Sequence, residues 1–213
     1  MNNKRVVIFS GGDLYPQYIN EIQPTDYVIG ADKGALFLIR HGIKPDLAVG
    51  DFDSISPQEL KRVRSESGKI VECDPVDKDL TDTELAIEMA ARQEPGFILL
   101  IGGTGTRMDH TLANVQMLNR ALQHQIQCAI MDRNNYITLT GSQIEVLDRG
   151  YKYVSLLPMT PEVTGITLEG FLYPLDDATL KLGESLGISN VLLGERGRVS
   201  ITGGLLLVIQ SND

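Results

Sequence analysis

The side chains able to do chemistry fall in four short clusters, three of them acidic. Asp51-Phe52-Asp53-Ser54 sets two carboxylates two residues apart, Asp77-Lys78-Asp79-Leu80-Thr81-Asp82 carries three more around a lysine, and Ala31-Asp32-Lys33-Gly34 adds another. The fourth cluster, Gly102-Gly103-Thr104-Gly105-Thr106-Arg107-Met108-Asp109-His110, joins glycines to an arginine, an acid and an imidazole. Carboxylates that converge repel one another, and a hard divalent cation with oxygen ligands is the usual remedy. Magnesium suits the pattern, because it takes one or two carboxylates, some waters and phosphate oxygens, and so reconciles acidic walls with an anionic polyphosphate. Asp51 and Asp53 can both reach one ion if their segment turns rather than extends, with Asp79 or Asp82 closing the site from the next loop.

Each piece alone has a plainer use. Asp82 in a first helical turn offsets the helix dipole, Asp79 can help cap it, and Asp51 and Asp53 are ordinary loop aspartates. The glycine spacing matches neither the dinucleotide fingerprint nor a Walker loop. Lys33 and Lys78 are by type surface residues, and His41 beside Gly42 reads as a helix C-terminal residue. The joint placement is what capping does not require: each cluster follows a strand, where ligands bind in open parallel sheets.

Those strands are Arg5 to Phe9, Tyr27 to Gly30, Leu47 to Gly50, Lys69 to Cys73, Phe97 to Ile101 and Ile126 to Met131. They alternate with helical patterns in the rhythm of βαβ units. Ser56-Pro57-Gln58-Glu59 and Thr81-Asp82-Thr83-Glu84 are capping-box starts. The second opens a helix expected to bury Leu85, Ala86, Met89 and Ala90; a further helix after Asp109 is expected to bury Leu112, Val115, Leu118 and Leu122. Beyond about Asn134 short apolar segments alternate with turn signals such as Glu169-Gly170 and Gly203-Gly204, the pattern of an antiparallel sandwich or barrel. A boundary is expected at residues 133 to 142.

Composition narrows the function classes. A chain of 213 residues with 42% hydrophobic and 22% charged residues is ordinary globular usage, long enough for two modest cores. Its net charge of -9 argues against nucleic acid or anionic membrane as a partner. No apolar run has the length of a membrane span, and the start lacks a signal-peptide pattern, so the expected location is cytoplasmic. Cys73 and Cys128, both in expected strands, read as inert buried thiols.

Gly30-Ala31-Asp32-Lys33-Gly34-Ala35, Pro45-Asp46 through Asp53-Ser54, Asp77 through Asp82, and Gly102-Gly103 through Asp109-His110 resemble, in this order, the thiamine pyrophosphokinase family. Ser189-Asn190 followed by Gly203-Gly204-Leu205-Leu206 resembles that family's C-terminal domain. The resemblance implies an N-terminal α/β domain with a mostly parallel, Rossmann-like sheet, then a C-terminal all-β sandwich. On this reading residues 1–135 form the nucleotide-binding catalytic domain, and residues 140–213 the thiamine-binding and dimerisation domain of a homodimer. It implies diphosphate transfer from MgATP to thiamine, releasing AMP. Asp51, Asp53, Asp79 and Asp82 are then the catalytic acids, the first three metal ligands. Asp32, Asp46, Gly102, Gly103, Arg107, Asp109, His110 and Asn114 would serve ATP. Ser189 and Asn190 would face the aminopyrimidine of thiamine, with Tyr173 or Phe171 as the aromatic surface. Thr106 departs from the second glycine of many bacterial members.

The same motifs admit rivals: a pyrophosphokinase for a pterin alcohol, a nucleotide- or thiamine-binding sensor without turnover, and a phosphatase of the haloacid dehalogenase type. The last expects its nucleophile after the first strand, whereas Asp51 follows the third.

Overall fold

The computed structural model describes residues 4–72 and 80–213, so Cys73, Asp77, Lys78 and Asp79 lie outside the described residues. The chain divides into two compact units, Met1–Asp132 and Arg133–Asp213.

The first unit is built on a parallel sheet of β1 (Arg5–Phe9), β2 (Tyr27–Ala31), β3 (Leu47–Gly50), β4 (Lys69–Glu72), β5 (Phe97–Ile101) and β6 (Gln127–Met131), in the order β4-β3-β2-β1-β5-β6. Continuous apolar runs suit strands covered on both faces. Val6, Val7, Ile8 and Phe9 of the central strand are all 0% exposed. Successive strands step outward from β1 as far as β4, and β5 then returns to the other side of β1. That reversal lies between β1 and β5, so a crevice is expected beyond their carboxyl ends.

Four helices connect the strands: α1 (Lys33–Arg40), α2 (Pro57–Glu66), α3 (Asp82–Ala91) and α4 (Met108–Gln123). Ser56 and Glu59 form the expected reciprocal capping box on α2. On α3 only half of the box forms: Thr81 accepts from the Glu84 N–H at 3.2 Å, while the Glu84 carboxylate goes to Arg120 of α4. Arg120 also holds Glu88, tying α3 to α4.

Two helical faces differ from expectation. Helix α3 buries Thr83, Ala86, Ile87 and Ala90, leaving Leu85 and Met89 half-covered. Helix α4 buries Asn114, Leu118 and Ala121, while Leu112 is 55% exposed. In α4 an inward asparagine holds a loop carbonyl, so the buried face runs through Asn114, Leu118 and Ala121 and leaves Leu112 on the other side. No helix among the described residues is long and apolar enough to cross a membrane.

The second unit is all antiparallel. It comprises a sheet of β7 (Asn135–Thr140), β13 (Leu206–Ser211) and β9 (Tyr153–Pro158), and another of β11 (Ala178–Lys181), β10 (Glu162–Glu169), β12 (Arg196–Ser200) and β8 (Gln143–Leu147). Alternation along β9 buries Val154 and Leu156. These join Val163, Ile166, Leu168, Val199 and Val208 in a core drawn from both sheets. The expected α/β unit followed by a β-sandwich is therefore observed.

Candidate active site

A crevice of about 850 Å³ opens at the carboxyl ends of the parallel strands, and loops after β1, β2, β3 and β5 line it together with the start of α3. Its floor exists because the loops after β1 and β5 run side by side. The Gly12 N–H donates to Gly102 O at 2.9 Å and the Asp13 N–H to Thr104 O at 2.9 Å. A Cβ on Gly12 would lie 2.2 Å from Thr104 O and 2.5 Å from Gly102 O, so only glycine allows this approach.

Three acidic residues meet here, Asp51 and Asp53 with Asp32, which the family resemblance assigns to ATP; Asp79 lies outside the described residues. Oxygens of Asp32, Asp51 and Asp53 lie within 4.8 Å of one another. Their convergence depends on two unusual backbone positions. Asp32, between β2 and α1, has φ 49, its N–H held by Val49 O at 2.9 Å. Phe52 has φ 55 and is only 3% exposed, packed with Ala35, Leu36 and Val63. The buried ring anchors the turn, and the flanking carboxylates line the crevice. The chain thus turns where two aspartates two apart needed it to turn, and Asp51 Oδ1 accepts from the Asp53 N–H at 3.2 Å.

Asp32 accepts from Ser54 Oγ through Oδ2, whereas its buried Oδ1 has no partner among the described residues. An orphaned carboxylate oxygen beside two other carboxylates is a donor set for a hard divalent cation, which draws on carboxylate and phosphate oxygens together. Asp82, first residue of α3, also lines the crevice, and its Oδ1 sits 3.4 Å from where a Cβ on Gly50 would be. It stands beside the trio rather than within it.

Among the residues expected to meet a nucleotide, Gly102, Gly103, Arg107, His110 and Asn114 all line the crevice. Asn114 Nδ2 donates to Gly103 O at 2.7 Å, fixing the glycine loop against α4. Asp109 grips Arg107 Nη2 at 2.6 Å, and that hydrogen bond pulls its carboxyl down to about 2. Lys33 joins the lining from α1.

Asp46 is not brought to the crevice. It precedes β3, at the other end of the strand from Asp51, and its Oδ2 accepts from the Val28 N–H at 2.8 Å. The reason is strand length: four residues of extended chain separate the two ends by about 13 Å.

Asn190 is held by hydrogen bonds within the chain. It is 6% exposed and its amide is committed to the chain: Oδ1 accepts from the Tyr173 N–H at 3.0 Å, and Nδ2 donates to Tyr173 O at 2.7 Å. Ser189 is exposed at φ 59, its N–H on Ser155 Oγ at 3.0 Å. Phe171 is buried in the sandwich core, while Tyr173 is 62% exposed. Cys128 is buried and its thiol pushed up to about 12 by desolvation, which makes it inert.

Sequence reasoning passed over Ser10, Gly11, Gly12 and Asp13, which line the crevice after β1, and Thr83 of α3. A signal was present: Gly-Gly-Asp follows directly on the first strand, the same strand-end position that marked the other clusters.

Fold and site together define a nucleotide-type α/β unit with an acidic, cation-ready crevice, followed by a β-sandwich. The family model for the catalytic domain of thiamin pyrophosphokinase matches residues 18–130. The model for that family's vitamin B1 binding domain matches residues 141–206. The thiamine pyrophosphokinase of Bacillus subtilis is 35% identical over 99% of this chain and 100% of its own length. A crystal structure of thiamine pyrophosphokinase from the same organism superposes with TM-score 0.90 at 34% identity, covering 98% of this chain and 99% of that one. One from Geobacillus thermodenitrificans gives 0.88 at 32% identity over 98% of each chain. The chain belongs to the thiamine pyrophosphokinase family.

Proposed function

We propose that this protein is an ATP:thiamine diphosphotransferase, a kinase-type transferase that moves the terminal diphosphate of MgATP onto the hydroxyethyl oxygen of thiamine and releases AMP. The observation that carries the reading is the Asp32–Asp51–Asp53 cluster, with a buried oxygen that has no partner among the described residues, set beyond the carboxyl ends of β2 and β3 in a parallel sheet. The thiamine pyrophosphokinases similar to the chain over its full length support the substrate.

Asp32, Asp51 and Asp53 would hold Mg²⁺, with Asp82 beside them and Asp79 a candidate from the adjacent loop. The ion would neutralise charge on the polyphosphate and align it. The rest is positioning by the chain itself. Arg107 and Lys33 are cationic groups of the crevice, and Asp109 orients the Arg107 fork. Gly102 and Gly103, held by Asn114, present backbone to the nucleotide, and His110 is a contact from the first turn of α4. Diphosphoryl transfer spreads charge over phosphate oxygens, so alignment and charge compensation supply most of the catalysis, with little call on a strong base. Residues 1–135 would act as the catalytic unit. Residues 140–213 would bind thiamine near Ser189 and Tyr173 and pair two copies, for which exposed Leu182, Leu186 and Leu193 offer apolar surface. A cytoplasmic setting accords with the absence of any membrane-crossing helix among the described residues.

The test is product mass from purified protein, MgATP and thiamine, with a hydroxymethyl pterin as control. Thiamine diphosphate and AMP in equal amounts are expected, and Asp51→Asn and Asp53→Asn should each lower turnover by orders of magnitude while the fold survives. AMP release that ignores thiamine would refute the assignment.

A further inference from the structure

Ser10, at the carboxyl end of β1, and Thr83, second residue of α3, stand in the crevice wall with their hydroxyl oxygens 2.6 Å apart. Both are more than nine-tenths buried, at 5% and 8% exposure. Each hydroxyl carries one proton, and the contact between them consumes only one of the two. Among the described residues neither hydroxyl has another partner. The pair therefore holds one spare O–H donor whichever residue donates internally. A buried donor without an acceptor is costly, by an amount similar to a lost hydrogen bond, and it calls for a ligand atom. Asp32, in the same crevice lining, does not take it: its buried Oδ1 has no partner among the described residues.

The surroundings specify the acceptor. The Gly12 N–H, two residues along, is already bonded to Gly102 O and so is not a donor to a ligand. The α3 N-terminus favours an anion. Beside Asp82 a lysine would be captured as an ion pair, while a neutral hydroxyl keeps its proton for an incoming oxygen. We propose that Ser10 and Thr83 act as a two-hydroxyl relay that donates one hydrogen bond to a phosphate oxygen of the bound nucleotide. Its location at the end of β1 and the start of α3 would grip the polyphosphate from elements other than the α4 start that carries Arg107. This rests on the reading of the crevice as a polyphosphate site and adds one contact to it.

The experiment measures binding of magnesium tripolyphosphate and of MgATP by titration calorimetry to wild type, Thr83→Ser, Ser10→Ala, and the double variant Ser10→Ala with Thr83→Val. Loss of a hydrogen bond to a charged acceptor predicts at least about tenfold weaker binding of both ligands by the double variant. Thr83→Ser, which keeps the hydroxyl, should remain within about twofold by the same reasoning. A merely structural pair would lower the melting temperature of the double variant without this ligand dependence, and equal affinity in wild type and double variant overturns the proposal. Should the double variant not fold, a crystal of the wild type with MgATP decides: a phosphate oxygen within about 3.2 Å of Ser10 Oγ or Thr83 Oγ1 is expected. A phosphate chain beyond about 4 Å from both refutes it. Thiamine turnover is scored separately on wild type, so loss of the diphosphotransferase assignment and loss of this contact give different results.

Discussion

Replacing Asp32 by asparagine should make the metal-free protein more stable while removing its function. In the absence of a cation, oxygens of Asp32 and Asp51 lie at most 4.8 Å apart, and both residues are half-buried. At that spacing two unit charges repel by about 0.9 kcal/mol in bulk water and about 3.5 kcal/mol at an effective dielectric of 20. Asparagine removes this repulsion, keeps an acceptor for Ser54 Oγ, and is among the residues that tolerate positive φ. Weakening of the charge-assisted Ser54 bond offsets about 1 kcal/mol. The net change runs from about zero to a gain of about 2.5 kcal/mol, or up to roughly 10 °C in melting temperature for a chain of this size. With Mg²⁺ in excess the order should invert, since ligand at about 100 times its Kd stabilises the native wild type by about 2.7 kcal/mol and the variant forfeits most of this. The assay is thermal unfolding of both proteins in EDTA and in saturating MgATP, alongside turnover, expected to fall at least about a hundredfold with the loss of one ligand. If Asp32→Asn melts below wild type in EDTA and both respond equally to Mg²⁺, the carboxylates do not form a cation site.

Two other outcomes follow from contacts in each unit. The Asp109 carboxyl, pulled down to about 2 by Arg107, contributes stability that is present above its unfolded value of 3.8 and is lost as pH falls through about 2. Carboxyl NMR titration of Arg107→Met should show Asp109 moving back toward 3.8, and an unmoved midpoint would contradict the pairing. Asn190→Asp replaces the Nδ2 donor to Tyr173 O by an acceptor, leaving a carbonyl unpaired, and should cost about 2–4 kcal/mol. Denaturant unfolding with Asn190→Ala alongside measures it, and a loss below about 0.5 kcal/mol would return the Asn190 side chain to ligand binding.

The sequence alone settled what depends on local pattern. Apolar runs of β-branched residues located β1 to β6 within a residue at each end, because a strand covered on both faces admits little else. Ser56 and Glu59 marked a helix start by chemistry confined to one turn. The carboxylate clusters were legible because they follow strands, and strand ends in a parallel sheet share one edge.

What only the tertiary structure decided is which polar groups have partners already. Asp46 and Asp51 flank the same strand, yet one lies away from the crevice on the Val28 amide and the other is part of the crevice lining. Asn190 looks like a ligand contact in sequence and is a clamp on Tyr173 in space. Ser10 and Thr83 are 73 residues apart, and nothing in either neighbourhood announces that their hydroxyls meet. A hydrogen bond is satisfied by whichever atom the fold brings within about 3 Å, and that distance is set by packing across the sheet rather than by position along the chain.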